Sequence, residues 1–206
     1  MNEYHKIQTV YKRDPSNNHK TLLEGEFSLP EFEFLADNEW VFTEKVDGMN
    51  IRCILDGGHV EFRGKTDRAD LPSVLVKALD LLNLGEHTNQ VFPDGAILCG
   101  EGYGGKIQKG SKYRIDQSFV LFDVWCGEMW LQREDVEDIA FKLGLEIVPI
   151  IGKGTLTDLV EMGRSGFDST WGDFKAEGVV ARPATELRMR RGDRCITKIK
   201  YKDFRP

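Results

Sequence analysis

The chain has 206 residues, 40% apolar and 10% aromatic, enough for a real core, and 30% are charged. Its 28 Lys+Arg against 34 Asp+Glu leave a net charge of −6, which excludes a uniformly basic surface but not a local basic groove. Apolar runs such as Phe119 to Trp125 are too short to span a bilayer, and MNEYHKIQTVYKRDP has no apolar secretory segment, so membrane and secreted classes are set aside.

Residues up to about Asp37 are polar and punctuated by Pro15, Gly25 and Pro30, which predicts extended arms and loops. Strands are expected at Trp40–Lys45, Asn50–Leu55 and His59–Arg63, the last two joined by a tight turn at Asp56-Gly57-Gly58. Leu71–Leu84 carries apolar residues at helical spacing. Ala96–Glu101 and Phe119–Cys126 have the look of buried strands. Arg133–Leu143 is predicted helical, with Glu134 and Asp135 in its first turn and Gly144 as its stop. A strand at Leu145–Ile151 and a short helix at Leu156–Met162, capped by Thr155 or Thr157, follow. Strands at Gly178–Arg182, Glu186–Arg190 and Arg194–Tyr201 complete the chain, the last two turning at Arg191-Gly192-Asp193. The sum is an α+β class built on antiparallel sheets, organised as a single domain.

Cys53, Cys99, Cys126 and Cys195 are widely spaced and no CxxC pair occurs. His5, His19, His59 and His87 lack ligand spacing, so a zinc site is not expected and the thiols belong to a reduced, cytoplasmic protein.

Several segments carry chemistry. In Glu44-Lys45-Val46-Asp47-Gly48-Met49-Asn50-Ile51-Arg52 a lysine ends a strand just before an Asp-Gly turn. Such an amine becomes a nucleophile when burial or neighbouring cations favour its neutral form, and is otherwise a solvated surface lysine. Lys198, Lys200 and Lys202 alternate along the last strand and share one face, as phosphate ligands or as a protected edge. Glu177, before Gly178-Val179-Val180, and Glu101, in Cys99-Gly100-Glu101-Gly102-Tyr103-Gly104-Gly105, are acids in or beside buried strands, solvated by default and able to hold a metal ion or a ligand hydroxyl. In Phe119-Val120-Leu121-Phe122-Asp123-Val124-Trp125 an aromatic can pack in the core or stack on a purine. Lys6, Lys12, Arg13, Lys20, Lys106, Lys109, Lys112 and Arg114 can form a nucleic-acid track or be scattered solvated charge, and Tyr103, Tyr113 and Trp171 can stack on bases or pack.

In order, KxDGxxxR, GEGYGG, FVLFDVW, EGVV and KIK resemble motifs I, III, IIIa, IV and V of the covalent nucleotidyltransferases, the ATP- and NAD-dependent polynucleotide ligases and GTP-dependent capping enzymes. The stretch Gly100 to Gly110, with Ile107-Gln108-Lys109, is most similar to the RNA ligase 2 branch, and the resemblance runs from about Trp40 to Phe204. Asp47 stands where that branch's type member has a histidine. The sequence stops just after motif V, without a helical C-terminal domain or an OB-fold. That implies a minimal catalytic domain, residues 1–206 with an N-terminal arm at 1–37, a protein partner in place of the second domain, or a piece of a longer protein.

The resemblance implies a nucleotide pocket between the sheets and an ATP-dependent RNA ligase for repair or end joining, monomeric and free of membranes. Lys45 would attack the α-phosphate of ATP to give lysyl-AMP, AMP would pass to an RNA 5′-phosphate, and a 3′-OH would seal a nicked duplex or single-strand ends. Lys198 and Lys200 would assist catalysis and bind phosphate. Glu177 would organise Mg2+ or Mn2+ with Asp47 near it, and Asp47 equally suits a turn former. Glu101 would hold the ribose, Phe119 the purine with Phe122 facing the core, and Glu44, Asn50 and Arg52 would complete the nucleotide site. Arg63 and Lys65 would receive the 5′-phosphate. A minimal DNA ligase, a capping-type guanylyltransferase and a non-catalytic domain binding nucleotide or RNA ends are the rival classes.

Overall fold

The computed structural model describes residues 3–205, apart from the side chains of residues 86, 87 and 89, so His87 lies outside the described side chains. The elements are β1 (Gln8–Thr9), β2 (Tyr11–Arg13), β3 (Leu22–Phe27), α1 (Pro30–Phe34), β4 (Trp40–Lys45), β5 (Met49–Asp56), β6 (His59–Gly64), α2 (Ser73–Asp80) and α3 (Leu84–Val91). Then come β7 (Ala96–Gly104), β8 (Gln117–Cys126), β9 (Met129–Trp130), α4 (Arg133–Leu143), β10 (Glu146–Ile147), β11 (Ile150–Gly154), α5 (Leu156–Ser165), β12 (Gly178–Pro183) and β13 (Thr197–Lys200). The chain falls into two compact units, Asp47–Val148 with Tyr4 and His5, and Lys6–Val46 with everything from Pro149 onward.

The Asp47–Val148 unit is built on a sheet ordered β10-β8-β7-β5-β6, with β9 added to β8. Only the β10 pairing is parallel. The β5–β6 hairpin turns on Gly57 and Gly58, whose φ values of +54° and +82° suit the primed turns that match strand twist. Leu75 and Leu79 of α2 and Val136, Ile139, Ala140 and Leu143 of α4 bury one face each in a core with Ile51, Leu98, Phe119 and Leu121. Gly144, at φ +64°, ends α4 as expected.

The other unit has the sheet β1-β13-β12-β4-β11, antiparallel except for β1 against β13. In β4, Trp40, Phe42 and Glu44 face the core and Val41, Thr43 and Lys45 are less buried. The core side packs Val179, Ala181 and Ile199 with Leu156 and Leu159 of α5. That helix starts at a capping box, in which the Thr155 hydroxyl accepts from Asp158 N and the Asp158 carboxylate accepts from Thr155 N.

Several expectations are corrected. Residues 6–37 are not an arm: β1 pairs with β13, β2 with β3, and Val10 and Phe32 are fully buried in the core. The long-range partners that order this stretch are invisible to local periodicity. The helix expected over Leu71–Leu84 divides at Asn83, whose φ of +49° interrupts it, and α3 follows. The strand expected over Leu145–Ile151 splits at Pro149, which has no N–H to donate; β10 joins β8 and β11 joins β4. Glu186–Arg190 forms no strand, only an isolated bridge between Arg188 and Arg194, and the final strand shortens to β13. Phe122 is half-buried with its ring edge-on to Tyr4, while Phe119 is the core residue. No helix among the described residues is long and apolar enough to cross a membrane.

Candidate active site

Lys45 ends β4, Gly178 begins β12 and Lys200 ends β13, and the three are register partners in one row across adjacent strands. A side chain at Gly178 would press to 2.1 Å from the Ile199 carbonyl oxygen, so glycine lets these strands meet. Glu177 precedes this glycine and accepts from both lysines, Oε2 from Lys45 Nζ at 2.6 Å and Oε1 from Lys200 Nζ at 2.5 Å. Its side chain is only 11% exposed. Burial alone would push this carboxyl up, but Lys45 and then Lys200 outweigh it and hold Glu177 below the ordinary 4.5. Period-two alternation places Lys198 on the same face as Lys200.

In the other unit, the Asp47-Gly48 turn sits against motif III. A Cβ on Gly48 would lie 2.3 Å from the Gly102 carbonyl oxygen and 2.7 Å from Glu101 Cγ, so glycine is required there. Asp47 N–H donates to the Tyr113 hydroxyl at 3.1 Å. Asn50 is the direct cross-strand partner of Glu101, and its Oδ1 is buried with no hydrogen-bond partner. A buried acceptor without a donor suits a ligand hydroxyl or amine.

Residues 38–200 match the family model described as RNA ligase. The chain belongs to the RNA ligase family. Its fold is similar to Naegleria gruberi RNA ligase: to a mutant in its apo form at 17% identity and TM-score 0.69, over 99% of this chain and 58% of that one. It is similar to a mutant of that ligase with ATP and Mn at 17% identity and TM-score 0.68, over 97% and 57% of the two chains. The form with PPi gives 18% identity and TM-score 0.68, over 97% and 58%. The chain thus spans under two thirds of the ligases it resembles, and at these identities the likeness establishes the antiparallel α+β fold. No curated protein matches.

Within this RNA ligase family chain, the structure brings Lys45, Glu177 and Lys200 together and sets Lys198 on the same face. Asn50 and Glu101 are also neighbours. Three roles need correction. Glu44 does not offer its side chain to a nucleotide on the Lys45 face: it points to the core, 1% exposed, and accepts from Ser169 Oγ at 2.6 Å and from Thr170 N and Oγ1 at 2.9 Å each. Arg52 is fully buried, donating to the Gly64 carbonyl at 2.9 Å and to Asp67 at 2.6 Å, so it positions the end of β6 and offers no exposed group to a nucleotide. Phe119 is 1% exposed, its ring over Gly100, and shows no open face for a purine in this conformation.

Arg63 pairs with Glu61 at 2.7 Å and Asp67 at 3.3 Å, and Lys65 is exposed just beyond it. Asp47 and Glu177 belong to different units, and no described group of three or more His, Cys, Asp or Glu could hold a metal ion. Sequence reasoning missed Ser169 and Thr170, whose partner lies 125 and 126 residues away, and the support Tyr113 gives the Asp47-Gly48 turn. Of the two roles open to Tyr113, stacking on a base or packing, the structure shows its ring packed edge-on to Tyr103.

Proposed function

We propose that the chain is the adenylyltransferase portion of an ATP-dependent RNA ligase that joins 5′-phosphate and 3′-OH RNA ends, in repair or end joining. The observation that carries this reading is Lys45 and Lys200 held on the single carboxylate of Glu177. Lys45 Nζ forms a bond to the α-phosphorus of ATP while the bond from that phosphorus to the pyrophosphate oxygen breaks. AMP then passes to an RNA 5′-phosphate, and the 3′-OH of the second end displaces it to form a phosphodiester.

For attack the amine must be neutral. In the resting state Glu177 favours the ammonium form of Lys45; when the carboxylate turns to another cation, Lys45 is left beside the Lys200 ammonium, which favours its neutral form. Lys200 and Lys198 would then neutralise charge on the phosphates. The donor set fits a divalent ion of the Mg2+ or Mn2+ kind, which needs few protein oxygens when phosphate and water supply the rest. Glu177 would hold it, and the ion would supply further neutralisation of phosphate charge. Within the Asp47–Val148 unit, Asn50 and Glu101 are our candidates for holding a ribose, and Arg63 and Lys65 for a 5′-phosphate. Burial pushes the Cys195 thiol up to about 11.

The test is intact mass after incubation with ATP or GTP and a divalent ion, for wild type and Lys45→Ala. One AMP on the wild type alone supports the reading. A GMP adduct would move the chain to the capping chemistry, and the absence of any adduct would overturn self-adenylylation by this portion.

A further inference from the structure

An open cleft of about 860 Å3 lies wholly within the unit that carries Lys45, and seven of its thirteen lining residues are lysine or arginine. Lys6, Lys12, Arg13 and Lys20 come from the N-terminal stretch, outside the family match, and Lys198, Lys200 and Lys202 from the end of the chain. The one lining acid, Asp203, is already neutralised by Arg13 at 2.7 Å. Lys12 pairs with Glu26 at 3.3 Å, but both are more than half exposed, so water screens that pair. Lys6, Lys20 and Lys202 make no ion pair with a described residue.

Like charges gathered this way repel one another and do nothing for folding, and in a chain of net charge −6 their concentration points to an anionic ligand. The cleft has the size of a whole ligand pocket, on the order of 300–1,000 Å3, too large for one phosphate group. No Phe, Tyr or Trp lines it, His19 is its one ring and Ile7 its one apolar side chain, so it offers no run of stacking platforms for successive bases. Its cations come from separated elements, as a run of phosphates requires. At one side it reaches Lys200, which shares Glu177 with Lys45.

We propose that this cleft guides a nucleic-acid strand toward Lys45 by its phosphodiester backbone alone, without reading bases or sugars. The destination rests on the ligase reading above; the backbone contact does not. Phosphate contacts carry no sequence information and do not involve the 2′-hydroxyl, so RNA and DNA strands occupy the cleft alike. Preference for RNA ends must then arise elsewhere in the protein.

The experiment compares wild type with Lys6→Gln/Lys20→Gln/Lys202→Gln, and with each single variant in case the triple one fails to fold. Fluorescence anisotropy over a salt series would follow a mixed-sequence single-stranded oligoribonucleotide and its DNA counterpart, with intact mass following the AMP adduct. The expected result is affinity weakened on the order of tenfold or more for both strands and a log–log salt slope shallower by about 2, with the adduct still formed. Unchanged strand affinity would overturn the proposal. Loss of the adduct with strand binding intact would also overturn it, assigning the cleft to the polyphosphate tail of ATP. Weakened strand binding in a protein that forms no adduct at all would keep the cleft and sink the ligase reading.

Discussion

Glu44 and Glu177 flank the same row of strand residues and are both withdrawn from water, yet they are held in opposite ways. Glu44 is satisfied by neutral donors of one short loop, Ser169 and Thr170. Glu177 is held by two ammonium groups at the ends of flexible side chains. Neutral, fixed donors lock a loop to a sheet; mobile cations can be handed to a phosphate. The first arrangement is architecture and the second can take part in a reaction.

The sharpest way to break this contrast is Lys45→Ala, which should abolish the AMP adduct by mass while the other glutamate's loop stays in place. Glu177→Gln comes next: adduct formation should slow about a hundredfold or more, the scale for losing one preorganised electrostatic group, with secondary structure by circular dichroism retained. Glu44→Ala should do the reverse, lowering stability by about 2–3 kcal/mol in urea unfolding, because it removes hydrogen bonds to a charged group and strands their donors.

The pH dependence follows from the depressed Glu177 carboxyl. A group titrating lower in the folded state stabilises fully above its ordinary 4.5, and that stabilisation is lost as pH falls through the folded value. The stability gap between wild type and Glu177→Gln should therefore be full at neutral pH and narrow in acid, below 4.5; a gap constant into strong acid would refute the pairing. The smallest effect is expected for Ser169→Ala, which removes one donor to Glu44 and should cost about 1–2 kcal/mol with the adduct unaffected.

Much of this was legible from residue order. The lysine before Asp47-Gly48, the acid before Gly178 and Lys198 and Lys200 of the last strand lie where a strand's period of two places them, whereas Lys202 falls past the strand in a 3-10 turn. The same rule contradicts a ligand role for the Glu44 side chain: Trp40, Phe42 and Glu44 alternate onto the core side. Motif resemblance pulled that residue toward the nucleotide, and the alternation was the better guide. Arg52 misled differently, since nothing local announces that Gly64 and Asp67 will bury its guanidinium. The order of residues 6–37 was beyond reach because the parallel contact Gln8 to Thr197 joins opposite ends of the sequence.

The row Lys45–Gly178–Lys200 has a consequence for quality control. Were β4 to slip by one residue, Lys45 would turn into the apolar core and Glu44 would emerge among the lysines, an exchange the ladder makes all-or-none. A misregistered chain would be chemically silent rather than partly active. Under the ligase reading, every molecule carrying AMP is then a correctly paired one, and one mass spectrum would set a floor on the native fraction of a preparation without any probe of shape.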